Sequence, residues 1–354
     1  MAPLVKALER EPGIESVLCV TAQHREMLDQ VLELFDLHPD YDLNIMKQNQ
    51  TISMITAGVI TGLDEVLEKE KPDMVLVHGD TTTTFATALA SFYHQNAVGH
   101  VEAGLRTYDK YSPYPEEINR VLTGHIADLH FAPTERNRQN LLKEGISDKD
   151  IFLTGNTVID ALLEVTSKPY EFEDEVLKNL DFEGKRVICV TCHRRENLGE
   201  NMEHIFGALR QIADEFDDVE IVYPVHLNPK VRDIAGRILS GTGNVHLIEP
   251  LTYQPFSNLM AKSYLIVTDS GGIQEEAPAL GKPVLVVRRE TERPEAVEAG
   301  TVKLAGVEQK TIYEMTKQLL TDEAAYKEMA HAANPYGDGH ACERIVKALK
   351  ERLG

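Results

Sequence analysis

The sequence predicts an α/β protein of two doubly wound, Rossmann-like domains, each built on a parallel sheet. Short β-branched apolar runs alternate with longer helical stretches throughout the 354 residues, which is the pattern of repeated βαβ units. Several runs stop abruptly on glycine and a charged residue, as in Val75-Leu76-Val77-His78-Gly79-Asp80 and Leu265-Ile266-Val267-Thr268-Asp269-Ser270-Gly271-Gly272. In open α/β sheets the carboxyl ends of the strands face the ligand crevice, so such endings suit chemistry. The length also accommodates two domains of ordinary size.

The elements follow in order. Residues 1–10 read as a helix. Strands are expected near 16–22, 73–78, 97–102, 129–133 and 151–154, with helices at 24–35 and 52–70 among those between them. Residues 167–184 carry mixed charges, Pro169 and Gly184, and read as the crossing between domains spanning 1–167 and 168–340. The second half repeats the pattern, with strands near 186–191, 219–224, 244–248, 265–268 and 284–287 and a last helix over 341–353. There is no short-period repeat and no low-complexity segment.

Apolar residues make up 42% and charged residues 26%, the proportions of a soluble globular enzyme. A formal net charge of −21 argues against nucleic acid or an anionic membrane surface as a partner. No apolar stretch approaches the roughly 20 residues of a membrane span, and no signal peptide is visible, so a cytoplasmic protein is expected. Cys189 and Cys192 form a C-x-x-C, but residues three apart in a strand face opposite ways and no second pair completes a zinc site. Both read as packing residues, and no metal is expected.

Asp80 follows an apolar strand and precedes four threonines that offer an N-cap to a helix near Phe85. It is either that helix's cap or a group presented to a ligand. Glu102 ends the run 97–102. Glu116 follows Pro115 in a first helical turn, where a carboxylate also offsets the helix dipole. Arg186-Val187-Ile188-Cys189-Val190-Thr191 releases Cys192-His193-Arg194, and Ser270-Gly271-Gly272 opens a helix whose backbone N–H groups can cradle phosphate. Local cations compensate the acidic net charge near these strand ends: Arg194, Arg195, Lys282, Arg288, Arg289 and Arg293. At a Debye length of about 8 Å they outweigh the distant field.

HGDTTTT, HVEAGLRT, SPYPEEINR, HRREN, DSGGIQEEAP, TERPEAVEAG and NPYGDG, in this order, resemble the non-hydrolysing UDP-N-acetylglucosamine 2-epimerases of bacteria over nearly the whole chain. The resemblance implies the glycosyltransferase B-type fold, two domains facing across a cleft, with helix 341–354 packing back on the first. It implies a homodimer, a UDP-sugar substrate and no cofactor. The implied reaction eliminates UDP from the sugar to leave a glycal and re-adds it with C2 inverted, giving UDP-N-acetylmannosamine for cell-surface polysaccharide. Asp80, Glu102 and Glu116 match the family's acid–base carboxylates, and His193 its essential histidine at the leaving phosphate. Arg106, Arg194, Ser270, Gly271, Gly272, Glu276 and Arg293 match substrate contacts, with Glu276 on the ribose. Gln23, Gln50, Arg194 and His226 match an activating second UDP-sugar site of some members. At that site Glu26 stands where glutamine is usual and Asn49 where arginine is usual. The other histidines, His78 and His100 included, read as structural.

Family members carry a strand and a G-T-R-P-E-type loop ahead of the segment matching Met1-Ala2-Pro3-Leu4-Val5, so a chain starting here is expected to be poorly stable or inactive until that strand is restored. Rival readings are a hydrolysing epimerase or glycosyltransferase of the same fold, or a silent UDP-sugar-binding protein.

Overall fold

The computed structural model describes residues 1–23, 25–47 and 49–354. Two compact units make it up: Met1–Ala161 with Tyr336–Gly354, and Leu162–Pro335. The chain leaves the first unit inside the helix Thr157–Thr166, a few residues before position 167, and re-enters it at Tyr336 rather than at 341.

In the first unit, β1 (Cys19–Val20) and β2 (Tyr41–Asp42) form a parallel pair apart from the main sheet, which runs β3 (Met74–His78), β4 (Ala97–Val101), β5 (Leu129–Ala132), β6 (Ile151–Leu153), all parallel. The strand expected over 16–22 is thus two residues long. Its approach is taken over by a turn: Leu18 N–H donates to the Asp40 carboxylate at 2.8 Å, and the Leu18 carbonyl accepts from Asp40 and Tyr41. The helix expected from residue 24 runs Arg25–Leu34, and His24 lies outside the described residues.

Helix Ile52–Glu70 fills its expected span because Thr51 caps its start, accepting from Met54 N–H, and Lys71 ends it at φ 46°. Leu4 and Leu8 of helix Ala2–Glu9 pack with Ile345 and Leu349 of helix Ala341–Leu353 in the cluster holding Val101, Leu129 and Phe131. Each buried leucine contributes about 1.5–3 kcal/mol, so the last helix belongs energetically to the first unit. That helix has no side-chain cap from His340. The Asp160 carboxylate supplies one, accepting from Ala341 N–H at 3.2 Å and Cys342 N–H at 2.9 Å.

The second unit holds six parallel strands in the order β12-β11-β10-β7-β8-β9. They are β7 (Arg186–Thr191), β8 (Val219–Pro224), β9 (Val245–Ile248), β10 (Leu265–Thr268), β11 (Val284–Val286) and β12 (Val302–Leu304). Read from β9, this is the doubly wound order whose direction of travel reverses between β7 and β10. Those two strands pair with Thr191 opposite Thr268, and the two hydroxyls lie 2.6 Å apart. Beneath lies the core of Ile188, Val190, Phe206, Tyr223, Val267 and Leu285. Cys189 and Cys192 are buried and unbridged; burial pushes the Cys189 thiol up to about 12, which leaves it inert. Among the described residues no helix is long and apolar enough to cross a membrane, and no cluster of three His, Cys, Asp or Glu side chains is placed to hold a metal.

Candidate active site

Two groups of polar side chains gather at strand ends, one in each unit. In the first unit His78 of β3 lies opposite Val101 of β4, so Gly79-Asp80 and Glu102 emerge side by side. Gly79 turns the chain at φ 70° and its N–H donates to the Val101 carbonyl at 3.0 Å. Helix Thr82–Tyr93 is capped by Thr81, whose hydroxyl accepts from Thr84 N–H at 3.2 Å. Asp80 is therefore not the cap. Its Oδ2 accepts from Arg120 Nη2 at 2.7 Å and Nε at 3.0 Å, and its carbonyl accepts from Asn119 Nδ2 at 2.9 Å.

Arg120 also donates to Glu117 Oε2 at 2.9 Å. Glu117 is buried, and its Oε1 accepts from the N–H groups of Thr107 and Tyr108 at 3.0 and 2.8 Å. Asn119 and Arg120 thus tie helix Glu116–Ile126 to the Asp80 turn, while Glu117 pins the loop that precedes the helix. Glu116 stands at the start of that helix, and its Oε2 is buried without a hydrogen-bond partner. A buried carboxylate oxygen of this kind is open to a ligand hydroxyl or a proton. Sequence reasoning passed over Asn119, Arg120 and Glu117. The Glu117–Arg120 spacing of three on one helix face was the available signal.

Glu102 adopts φ 64°, a left-handed conformation that costs a non-glycine residue about 1–3 kcal/mol and tends to mark functional positions. Its Oε2 lies 3.1 Å from His78 Nε2. Burial above all lowers His78 to about 3, which favours the neutral ring beside this carboxylate. His78, expected to be structural, is thus a direct partner of Glu102. His100 keeps a structural role: burial lowers it to about 3 as well, and its Nε2 holds the Gly79 carbonyl at 2.7 Å.

Arg106 stands apart from both groups. Expected at the substrate, it has a fully buried side chain and forms a two-pronged pair with Glu144, Nε–Oε1 2.7 Å and Nη2–Oε2 2.8 Å. Its third nitrogen donates to the Leu105 carbonyl. Gln23 accepts from Thr83 Oγ1 at 2.7 Å. Gln50 folds its amide onto the local backbone, accepting from Lys47 N–H and donating to the Ile45 carbonyl.

In the second unit the side chains stand where β7 and β10 end, at the reversal of strand order. Asp269 follows β10 and is fully buried. Its Oδ2 accepts from His193 N–H at 2.9 Å, Arg194 N–H at 2.8 Å and Asn197 Nδ2 at 3.0 Å. The His193 ring is 42% exposed, with Nδ1 3.5 Å from Asp269 Oδ1, and stacks on His226 at 5.3 Å with 10° between planes. His226 Nδ1 accepts from Asn228 N–H at 3.1 Å.

Ser270 precedes helix Gly271–Ala279 and makes no side-chain cap to the first N–H groups of the helix. Above them sits Glu292: a Cβ built on Gly271 would meet its Oε1 at 2.7 Å. Glu292 pairs with Arg194 at 2.8 Å and with Arg288 at 2.5 Å. Burial opposes its ionisation, yet a backbone N–H, Arg288 and Arg194 together hold it at about 2. A carboxylate therefore already occupies the place where a helix N-terminus and two guanidinium groups would receive an anion. Arg293 pairs with buried Glu275. Glu276 lies one turn along the helix, where burial and then the Glu275 charge push it up to about 8. The arginines named as local cations from sequence are largely placed in ion pairs, Arg289 with Glu308 among them.

Comparison with known proteins bears on both groups. Residues 6–350 match the family model described as UDP-N-acetylglucosamine 2-epimerase. The UDP-N-acetylglucosamine 2-epimerase of Bacillus subtilis strain 168 is 59% identical over 356 residues, covering 100% of this chain and 92% of its own. That of Escherichia coli K12 is 58% identical over 355 residues, covering 99% and 94%. The crystal structure of UDP-GlcNAc 2-epimerase from Neisseria meningitidis bound to UDP-GlcNAc superimposes with a TM-score of 0.85 at 52% identity, covering 99% and 96% of the two chains. The order of β7–β12, the strand-end carboxylates and these matches agree, and the chain belongs to the UDP-N-acetylglucosamine 2-epimerase family.

Proposed function

We propose that this chain is an enzyme that inverts C2 of UDP-N-acetylglucosamine to give UDP-N-acetylmannosamine, reversibly, by eliminating UDP and adding it back. The observation that carries this reading is the grouping of Asp80 and Glu102 at adjacent strand ends with Glu116 at the start of the helix tied to them. The C2 hydrogen of an intact sugar is hardly acidic. Loss of the C1–O bond to UDP accompanies its removal and leaves a glycal, and delivery of a proton to the other face as UDP returns gives the epimer. Carboxylates of the first unit remove and deliver that proton, a task worth about 10²–10⁴ in rate.

In the second unit the helix starting at Gly271, with Arg194 and Arg288, receives the pyrophosphate once Glu292 has been displaced. His193 protonates and then deprotonates the leaving phosphate oxygen. Incubation from either UDP-sugar is expected to reach one common mixture of the two. Free sugar accumulating in step with UDP would instead make the enzyme hydrolytic.

Glu276 accepts the ribose hydroxyls. It is mostly protonated below about pH 8 in the unliganded protein, whereas donated hydroxyls favour the carboxylate. UDP binding is therefore expected to release a proton, and affinity to rise as pH approaches 8. Calorimetry in buffers of different ionisation enthalpy reads the release, which Glu276→Gln should abolish. A pH-independent affinity would remove Glu276 from the ribose. The folded state also holds this proton above the ordinary carboxylate range, so the stability it contributes is present at low pH and lost as pH rises through about 8.

The reading also makes the protein a cytoplasmic homodimer. Phe92 and Tyr93, at the end of helix Thr82–Tyr93, and Ile118 and Leu122 of the adjoining helix Glu116–Ile126 are exposed apolar side chains in keeping with self-association. Light scattering at twice the chain mass is the expected result.

A further inference from the structure

Resting on the assignment of His193 to the leaving phosphate, we infer that Asp269 is a positioning residue that fixes the tautomer and orientation of the His193 ring. Asp269 follows the last residue of β10, and His193 lies two residues beyond the end of β7, the strand paired with β10 at the reversal of strand order. The two oxygens of Asp269 have different surroundings. Oδ2 takes three N–H donors, from His193, Arg194 and Asn197. Those bonds lock the carboxylate in the fully buried site and set the backbone that carries the ring. Oδ1 is equally buried and takes no N–H or O–H donor; His193 Nδ1 lies 3.5 Å from it, and the buried Cys192 thiol also borders the carboxylate.

A buried carboxylate oxygen without a donor is costly, by about 1–3 kcal/mol. The ring beside it is exposed enough to turn, and a small rotation converts the 3.5 Å approach into a hydrogen bond. Catalytic bonds are often long before ligand arrives. Stacking on His226 at 10° lets the ring pivot in its own plane while holding that plane.

With Nδ1–H on Asp269, the neutral ring presents the bare Nε2 outward, and its protonated form presents Nε2–H. That is the nitrogen that donates a proton as UDP leaves and takes it back on return. Asp269→Asn keeps the shape and can retain an oxygen for the three N–H donors. It then places an NH₂ group toward Nδ1, so Nδ1 must become the acceptor and the proton moves to Nε2 in the neutral ring.

The test combines ¹⁵N NMR of the His193 ring with kinetics of Asp269→Asn, His193→Asn and the double variant. The expected spectrum shows protonated Nδ1 in the native protein and protonated Nε2 in neutral D269N. D269N is expected to lower kcat by about 10–100-fold, the usual loss when an orienting partner is removed, with UDP affinity little changed. In the His193→Asn background the same substitution should have almost no further effect. An unchanged ring tautomer in D269N, or an equal loss of kcat with and without His193, would overturn the inference. Full activity in His193→Asn would instead defeat the assignment of His193 to the phosphate, a failure the ring spectrum distinguishes.

Discussion

Asp80→Asn, Glu102→Gln and Glu116→Gln are each expected to lower turnover by about 10²–10⁴, the loss that follows removal of a proton-transferring group, while UDP affinity stays close to that of the native enzyme. The three substitutions preserve shape, and the proposed nucleotide contacts are residues of the other unit. Asp80→Asn carries a second consequence, because Arg120 has only 10% of its side chain exposed and would keep Glu117 as its one carboxylate partner of the two it has here. A lower melting temperature should therefore accompany the kinetic loss at Asp80 and not at Glu116, whose Oε2 has no partner to lose. Stopped assays of both UDP-sugars, alongside UDP titrations, separate the two effects. Near-normal turnover in all three variants would return these carboxylates to structural roles.

Glu144→Ala is expected to destabilise the fold by about 3–5 kcal/mol, because it strands a guanidinium in a dry site. Arg106 is fully buried, and Glu144 takes both prongs of it. Joint replacement by Arg106→Met and Glu144→Met should recover most of the loss, since a buried pair exchanged for apolar groups of similar volume is often neutral. Urea unfolding of the three variants measures this. A Glu144→Ala protein of normal stability but weakened substrate binding would place Arg106 at the sugar after all.

The order of strands and helices was legible because it rests on local pattern. Helix Ile52–Glu70, strands β7, β8 and β10, and helix Ala341–Leu353 fall on their expected residues. The strand near 16–22 did not, since the Asp40 carboxylate takes the Leu18 N–H from a different segment of chain. At the strand ends, sequence gave the carboxylates but not their counter-ions. Arg120 reaches Asp80 across 40 positions, and Arg194 reaches Glu292 across 98. No spacing rule spans such separations, so the pairing of Arg106 with Glu144 lay outside the sequence pattern, and Asp269, noted as a charged strand ending, received no role of its own. Glu292 was hidden for the same reason. Its role depends on standing over Gly271, a contact that only the folded unit creates.

The central claim, that C2 is inverted by loss and return of its own proton, is tested most directly by incubating the protein with UDP-N-acetylglucosamine in D₂O and following C2 by NMR. The account predicts that both epimers appear and that each acquires solvent deuterium at C2. Epimer formation with the original C2 hydrogen fully retained would contradict it.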